Sequence, residues 1–355
     1  MSVAPQFELQ ARACDKLGSP LYAGLLAEIA RDIEAGGPCA RALAGYEDAP
    51  MAAAVPLRFL GAVHALVLTG AAPELAAYYP SATPAADLRP ANDGVWQAFR
   101  DAVDAHPDWI RDWLTRPPQT NEVGRAVPML TGLLAAVDAI PLPVRLLELG
   151  SSAGLNLRAD HFHWHTDGFE WGPKDSPVSL GGAWDGPVPA WLADAARHHP
   201  RLDIVERRGC DPAPLDPLSP RDALSLRSYV WPDQPDRAAR LDGALRLATR
   251  VPATVTATGA AEFLAEVEPV PGTLTVVWHS VMRQYVPDDE WARATAELDR
   301  LAAASGPDAG FAHLAFEPVA RSGSGFPLIV RIGNGPALEL ARAKPHGIPT
   351  FGPAE

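Results

Sequence analysis

The stretch LLELGSSAGLNL, residues 146–157, joins an apolar run to a glycine-rich turn through one acidic residue. Two chemistries use such a junction. Gly150-Ser151-Ser152-Ala153-Gly154 fits the G-x-S-x-G elbow that presents a nucleophilic serine, here Ser152. Glu148-x-Gly150-x-x-x-Gly154 also fits a nucleotide-cofactor loop, whose glycines let a ligand approach the backbone. Position separates the two. A hydrolase elbow follows several strands of its sheet, whereas the chain ahead of this junction has a helical period. A cofactor loop at the end of the first strand is therefore the expected reading. A nicotinamide fingerprint would need an acidic residue ~20 residues on. EWGPKDS offers Glu170 and Asp175 there, but no strand end, which disfavours a dehydrogenase.

Other residues could act on a substrate. His279 closes the apolar run TVVWHS, and a strand-end histidine can serve as general base because its ordinary pKa lies near neutrality. Asn121, Glu122 and Arg125 sit in QTNEVGR (119–125). Asn121 and Arg125, four apart, share a helix face, and Arg125 suits a carboxylate, phosphate or sulfate. The same segment also reads as a helix cap with a surface ion pair. Trp231 and Asp233 in VWPDQPDR, with Tyr78 and Tyr79, are candidates for a substrate lid, against the commoner role of aromatics as core. His161, His163 and His165 in HFHWHTD alternate with Phe162 and Trp164. The aromatics should pack inward and turn the histidines outward, so no metal is expected.

These residues need elements to hold them. Residues 1 to about 125 read as helical, as in LYAGLLAEIARDIEA and PLRFLGAVHALVLTG. Asn92 or Asp93 is offered as a cap, and Thr120 or Asn121 caps a helix over 123–139. From VRLLELG the period changes. Strands are expected there and at 202–209, 253–258, 273–280, 310–318 and 326–333, with helical patterns between them at 236–249, 260–267 and 288–303. Alternating strands and helices predict a parallel, helix-covered sheet. The short SGSG-containing connection before the last strand predicts an antiparallel edge.

Composition excludes several classes. With 47% hydrophobic and 21% charged residues a packed core is expected, and a net charge of −13 without a basic block argues against nucleic-acid partners. Three scattered cysteines support neither a disulfide framework nor a Cys-based zinc site. The polar N-terminus lacks a signal-peptide layout. The most apolar windows, 51–77 and 126–147, are interrupted by Pro56, Arg58, Asp138, Pro141 and Pro143. A cytoplasmic chain with no membrane partner is expected.

QTNEVGR, ELGSSAGLNL (148–157), GCDPAPLD (209–216), LRSYVWPDQPDRAARLDGAL (226–245) and VVWHSV (276–281) together resemble an uncharacterised bacterial family, domain of unknown function 2332. The resemblance extends to SPLYAGLLAEIA and AAYYPSAT in the helical part. That family is similar to class I S-adenosylmethionine (SAM) methyltransferases. The resemblance implies a Rossmann-like α/β fold and SAM as cofactor, with Glu148, Gly150, Ser152 and Gly154 in motif I and Asp211 at the ribose hydroxyls. Ser152 stands where the middle glycine is usual. Gly259-Ala260 stands where Gly-Asp usually holds the adenine, leaving Glu262 or another group to supply that bond.

The expectation is a helical domain over 1–125, acting as lid or substrate-binding part, and a methyltransferase-like domain over 126–355 with the cleft between them. Its leading function is SAM-dependent methyl transfer to an oxygen or nitrogen of a small molecule, with His279 as base. The first alternative keeps the fold without SAM and promotes an intramolecular displacement, cyclisation or elimination in secondary metabolism, Arg125 receiving the departing anion. The second is a non-catalytic scaffold for a partner subunit; a homo-oligomer also stays open.

Overall fold

The computed structural model describes residues 2–91, 94–319 and 325–353. The suggested cap at Asn92 or Asp93 lies outside them. The chain divides into two compact units, one of residues 1–120 and 220–238, the other of residues 121–219 and 239–355.

The first unit is helical. Its principal helices are Ala4–Lys16, Pro20–Glu34, Val55–Leu68, Val95–Ala105, Pro107–Leu114 and Pro220–Ser228. Several prolines stand at helix starts. Pro20, Pro38, Pro73 and Pro107 each open a helix, where the missing N–H has no intrahelical partner to lose. Apolar residues three and four apart converge on one core, including Leu25, Ile29, Phe59, Val63, Phe99 and Leu114. Met51–Leu68 is the one stretch among the described residues long and apolar enough to cross a membrane, and 61% of it is buried inside the fold.

The second unit is α/β. Its strands are β1 (Val144–Leu149), β2 (His163–Thr166), β3 (Phe169–Trp171), β4 (Ser179–Gly181), β5 (Ile204–Asp211), β6 (Thr254–Ala257), β7 (Thr273–Ser280), β8 (Ala309–Phe316), β9 (Phe326–Ile332), β10 (Ala337–Ala343) and β11 (Thr350–Phe351). Eight form one sheet in the order β11-β10-β9-β8-β7-β1-β5-β6, while β3-β2-β4 form a small separate sheet. The five strands from β6 to β8 are parallel; β9, β10 and β11 add an antiparallel edge. From β1 the chain order runs outward through β5 and β6 on one side and through β7 and β8 on the other. The order therefore reverses between β1 and β7, the place where open α/β sheets bind ligands.

Helices cover both faces. Ala260–Ala265 and Asp288–Ala303 pack on Leu147, Leu149, Cys210, Val277 and Phe311. On the other face Ala126–Ala139 approaches so closely that a Cβ on Gly132 would come within 2.6 Å of Leu314. All six β1 residues are buried, as an apolar run between two helical layers requires.

The structure corrects two expectations and adds two strands. The helix before β1 starts at Ala126 behind a 3-10 turn, Val123–Arg125, and Glu122 rather than Thr120 or Asn121 caps that turn by accepting from the Gly124 N–H. The glycine turn after β1 opens onto a 3-10 stretch, Leu155–His161, broken at Arg158, and not onto an α-helix. β10 and β11, which no sequence pattern announced, extend the antiparallel edge.

Candidate active site

Register decides which side chains meet. Glu148 lies opposite Trp278, and Leu149 opposite His279, in the parallel β1/β7 pair. In-register neighbours point to the same face, and successive residues to opposite faces. Glu148 and Trp278 therefore share the face covered by the helix Ala126–Ala139. His279 points the other way, where its ring meets Trp291 edge-on at 5.1 Å. Expected together at one mouth, Glu148 and His279 are separated by the sheet.

Glu148 is 3% exposed. Burial pushes its carboxyl up to about 8. The Trp278 indole N–H, Arg158 and Arg125 pull it back, and Asp211 adds to the rise. The indole N–H lies near the carboxyl but outside hydrogen-bond geometry. Glu148 Oε2, Trp278 Nε1, Ser152 Oγ and Asn156 Oδ1 are all buried without a hydrogen-bond partner. Buried polar atoms are normally paired, so four such atoms on β1, its following loop and β7 need explanation.

The loop holds a tight, left-handed path. Gly150, Ser152 and Gly154 have φ of 64°, 53° and 62°, so a serine occupies a conformation that glycine takes most readily. Asp211, at the end of β5, secures it: one oxygen accepts the Ser152 N–H at 3.0 Å, the other the Ala213 N–H at 2.9 Å. Gly209 is needed opposite, because a Cβ there would collide with Ser151 Oγ. Arg158, 3% exposed, ties the loop to its surroundings through the Gly154 and Val251 carbonyls. Burial lowers its pKa to about 10, Arg207 adds to that, and Glu148 opposes it. Asn121 accepts the Leu155 N–H at 2.9 Å, and the Glu122 carbonyl accepts from Asn156 Nδ2 at 3.2 Å. Arg125 Nε donates to the Pro345 carbonyl, within electrostatic range of Glu148. Asn121, Glu122, Arg125, Glu148, Gly150, Ser152, Gly154 and Asp211 thus belong to one neighbourhood.

His279 belongs to a different cluster. Its Nδ1 lies 2.7 Å from Glu317 Oε1 and its Nε2 3.1 Å from His313 Nε2, with the two rings stacked at 5.2 Å. Burial, with His279 and Arg331 nearby, pushes His313 down to about 3, so His313 is neutral. Both ring nitrogens of His279 are therefore occupied. The same Glu317 oxygen accepts the Met282 and Arg283 N–H groups at 3.1 and 3.4 Å. Met282 packs on Gly150: a Cβ there would lie 2.8 Å from Met282 Cβ.

Tyr79, Trp231 and Asp233 lie in the helical unit. Tyr79 is fully buried, with its ring 6.5 Å from that of Tyr22, and Tyr22 is 6.3 Å from Trp231. Asp233 accepts from Ser19 Oγ and the Leu21 N–H, closing the start of the helix Pro20–Glu34. Phe162 and Trp164 are buried, while His163 and His165 stack at 4.8 Å on the outside of the small sheet, bonded to Glu170 and Ser179. Among the described residues no group of three or more His, Cys, Asp or Glu is disposed to hold a metal ion. Trp278, Asn156, Arg158, Met282 and Glu317 were not singled out from the sequence. Asn156 and Arg158 stood inside or beside the glycine motif, each a polar residue in an apolar stretch. Met282 and Glu317 carried no signal.

Ser152 Oγ has no histidine within bonding distance, so an activated serine nucleophile is not assembled. The neighbourhood instead offers a carboxyl that exchanges its proton near pH 8, a hydroxyl, an indole donor and an amide oxygen, with two guanidinium groups nearby. A family model described as "Uncharacterized protein conserved in bacteria (DUF2332)" matches residues 4–350. No curated protein and no solved structure matches the chain.

Proposed function

The chain belongs to the uncharacterised bacterial family DUF2332, and on that footing we propose that it is an enzyme that modifies a small molecule at the carboxyl ends of β1 and β7, on a sheet of class I methyltransferase type. One observation carries the proposal: four buried polar atoms without partners belong to β1, the segment that follows it and β7, the strands between which the order reverses. A ligand with both donors and acceptors would satisfy them.

The residues do not fit SAM in its usual placement. Met282 lies on Gly150, where the cofactor would approach the backbone. Both Asp211 oxygens accept loop N–H groups, so its carboxylate takes the place an anionic or ribosyl ligand would have at those amides. No α-helix N-terminus follows the loop. The amide of Ala260, beyond β6, is capped by Glu290. The reaction proposed for this site therefore does not use SAM.

The second expected chemistry fits better: a substrate that carries its own leaving group and closes on itself. A substrate oxygen or nitrogen attacks a carbon of the same molecule. The bond to the leaving group breaks with its electron pair, and the Glu148 carboxylate takes the attacking atom's proton. A carboxyl that titrates near 8 is a stronger base than an ordinary one and is still partly ionised near neutrality. Arg125 and Arg158 supply positive potential for the departing anion. His279, held on the opposite face, is not the base in this mechanism.

Calorimetric titration with SAM and S-adenosylhomocysteine tests the choice. No binding by the folded protein is expected. Micromolar binding that is lost in Glu148→Gln would return the assignment to methyl transfer.

A further inference from the structure

The 281–283 turn carries three unusual features at once. Val281 has φ of 52°, a left-handed conformation that a β-branched side chain rarely adopts. Such a conformation persists only where its surroundings enforce it. Here the Val281 N–H donates to the Phe316 carbonyl at 3.0 Å, and the next two N–H groups donate to one oxygen of Glu317. Glu317 is in turn held by His279 at 2.7 Å, while its other oxygen is buried without a partner. The turn itself rests on Gly150, two residues from Glu148, and all three of its residues are half-exposed. It therefore has solvent on one side and the glycine loop on the other.

We propose that the 281–283 turn is a latch over the glycine loop at Gly150, and that Glu317 and His279 are positioning residues that hold it there. The strain at Val281 is balanced by the two N–H bonds to Glu317, so loosening that carboxylate releases the turn. When it lifts, the backbone at Gly150 becomes accessible to a ligand. This rests on the proposed function only in treating the glycine loop after Glu148 as part of the ligand site. It also accounts for a buried histidine at the end of β7 that has no free nitrogen for catalysis.

Hydrogen exchange of the full chain, read by mass spectrometry, tests the latch without any ligand, so it can succeed where the assigned chemistry fails. In Glu317→Ala, which removes the oxygen that accepts the Met282 and Arg283 N–H groups, exchange should rise at least tenfold in residues 281–286 and, together with them, in residues 150–154. A rise confined to 281–286, or no rise, would overturn the proposal. If Glu317→Ala loosens the whole sheet, Met282→Ala decides. It leaves the Glu317 bonds in place and should raise exchange in 150–154 tenfold; unchanged exchange there sinks the idea.

Discussion

Replacing Glu148 by glutamine removes one ionisation and keeps the shape of the side chain. In the folded chain the carboxyl holds its proton until about pH 8, whereas its ordinary value is 4.5. Between those values the unfolded chain is ionised at this position and the folded chain is not, so folding takes up a proton. Stability must then fall as pH rises, by about 1.4 kcal/mol per pH unit, and level off above pH 8. The whole window integrates to a ceiling of roughly 5 kcal/mol, a large part of a typical folding free energy. Glu148→Gln has no such loss. Its amide adds an offset that does not vary with pH, so the diagnostic is the slope of the difference. Urea unfolding of both proteins from about pH 5 to about pH 8, followed by tryptophan fluorescence, reads it. The variant should gain on the wild type steadily across the range. Parallel stability curves would refute the buried, protonated carboxyl and with it the base assigned to the reaction.

Two further outcomes are expected. His64, buried in the helical unit between the Ser228 carbonyl and Ser81 Oγ, is pushed down to about 4 by burial, the carbonyl partly offsetting this. The unfolded chain binds its proton first, so stability should fall by up to roughly 3 kcal/mol between pH 6.5 and 4; acid unfolding of His64→Gln, with a flatter profile, checks this. Asp211→Ala strips the Ser152 and Ala213 amides of their acceptor and should cost about 2 kcal/mol. The Ser152 amide should then exchange faster by NMR.

Much of the candidate neighbourhood around Glu148 was legible in the order of residues. An apolar run ending in Glu148 and a glycine turn identifies a first strand and its loop, because strand burial and left-handed turns are local demands. The flanking polar segment 121–125 was likewise marked by composition and does join that loop. The small sheet's inward Phe162 and Trp164 followed from simple alternation. The edge strand β10 was not legible: ALELARA favours a helix locally, and pairing with β9 overrides that preference.

The sequence thus specified which residues stand at the strand ends and that their elements alternate between strand and helix, since both follow from local pattern. It could not specify which of them face each other. His279 follows Trp278 by one residue, and only the β1/β7 register sends one to Glu148 and the other to the far side of the sheet. Asp211 clamps a loop 59 residues earlier, and Met282 reaches Gly150 from the turn after β7. Such contacts depend on how distant strands pair and how tightly helices cover them, which no short window of sequence encodes. The same long-range packing desolvates Glu148 and turns an ordinary carboxylate into a group poised near pH 8.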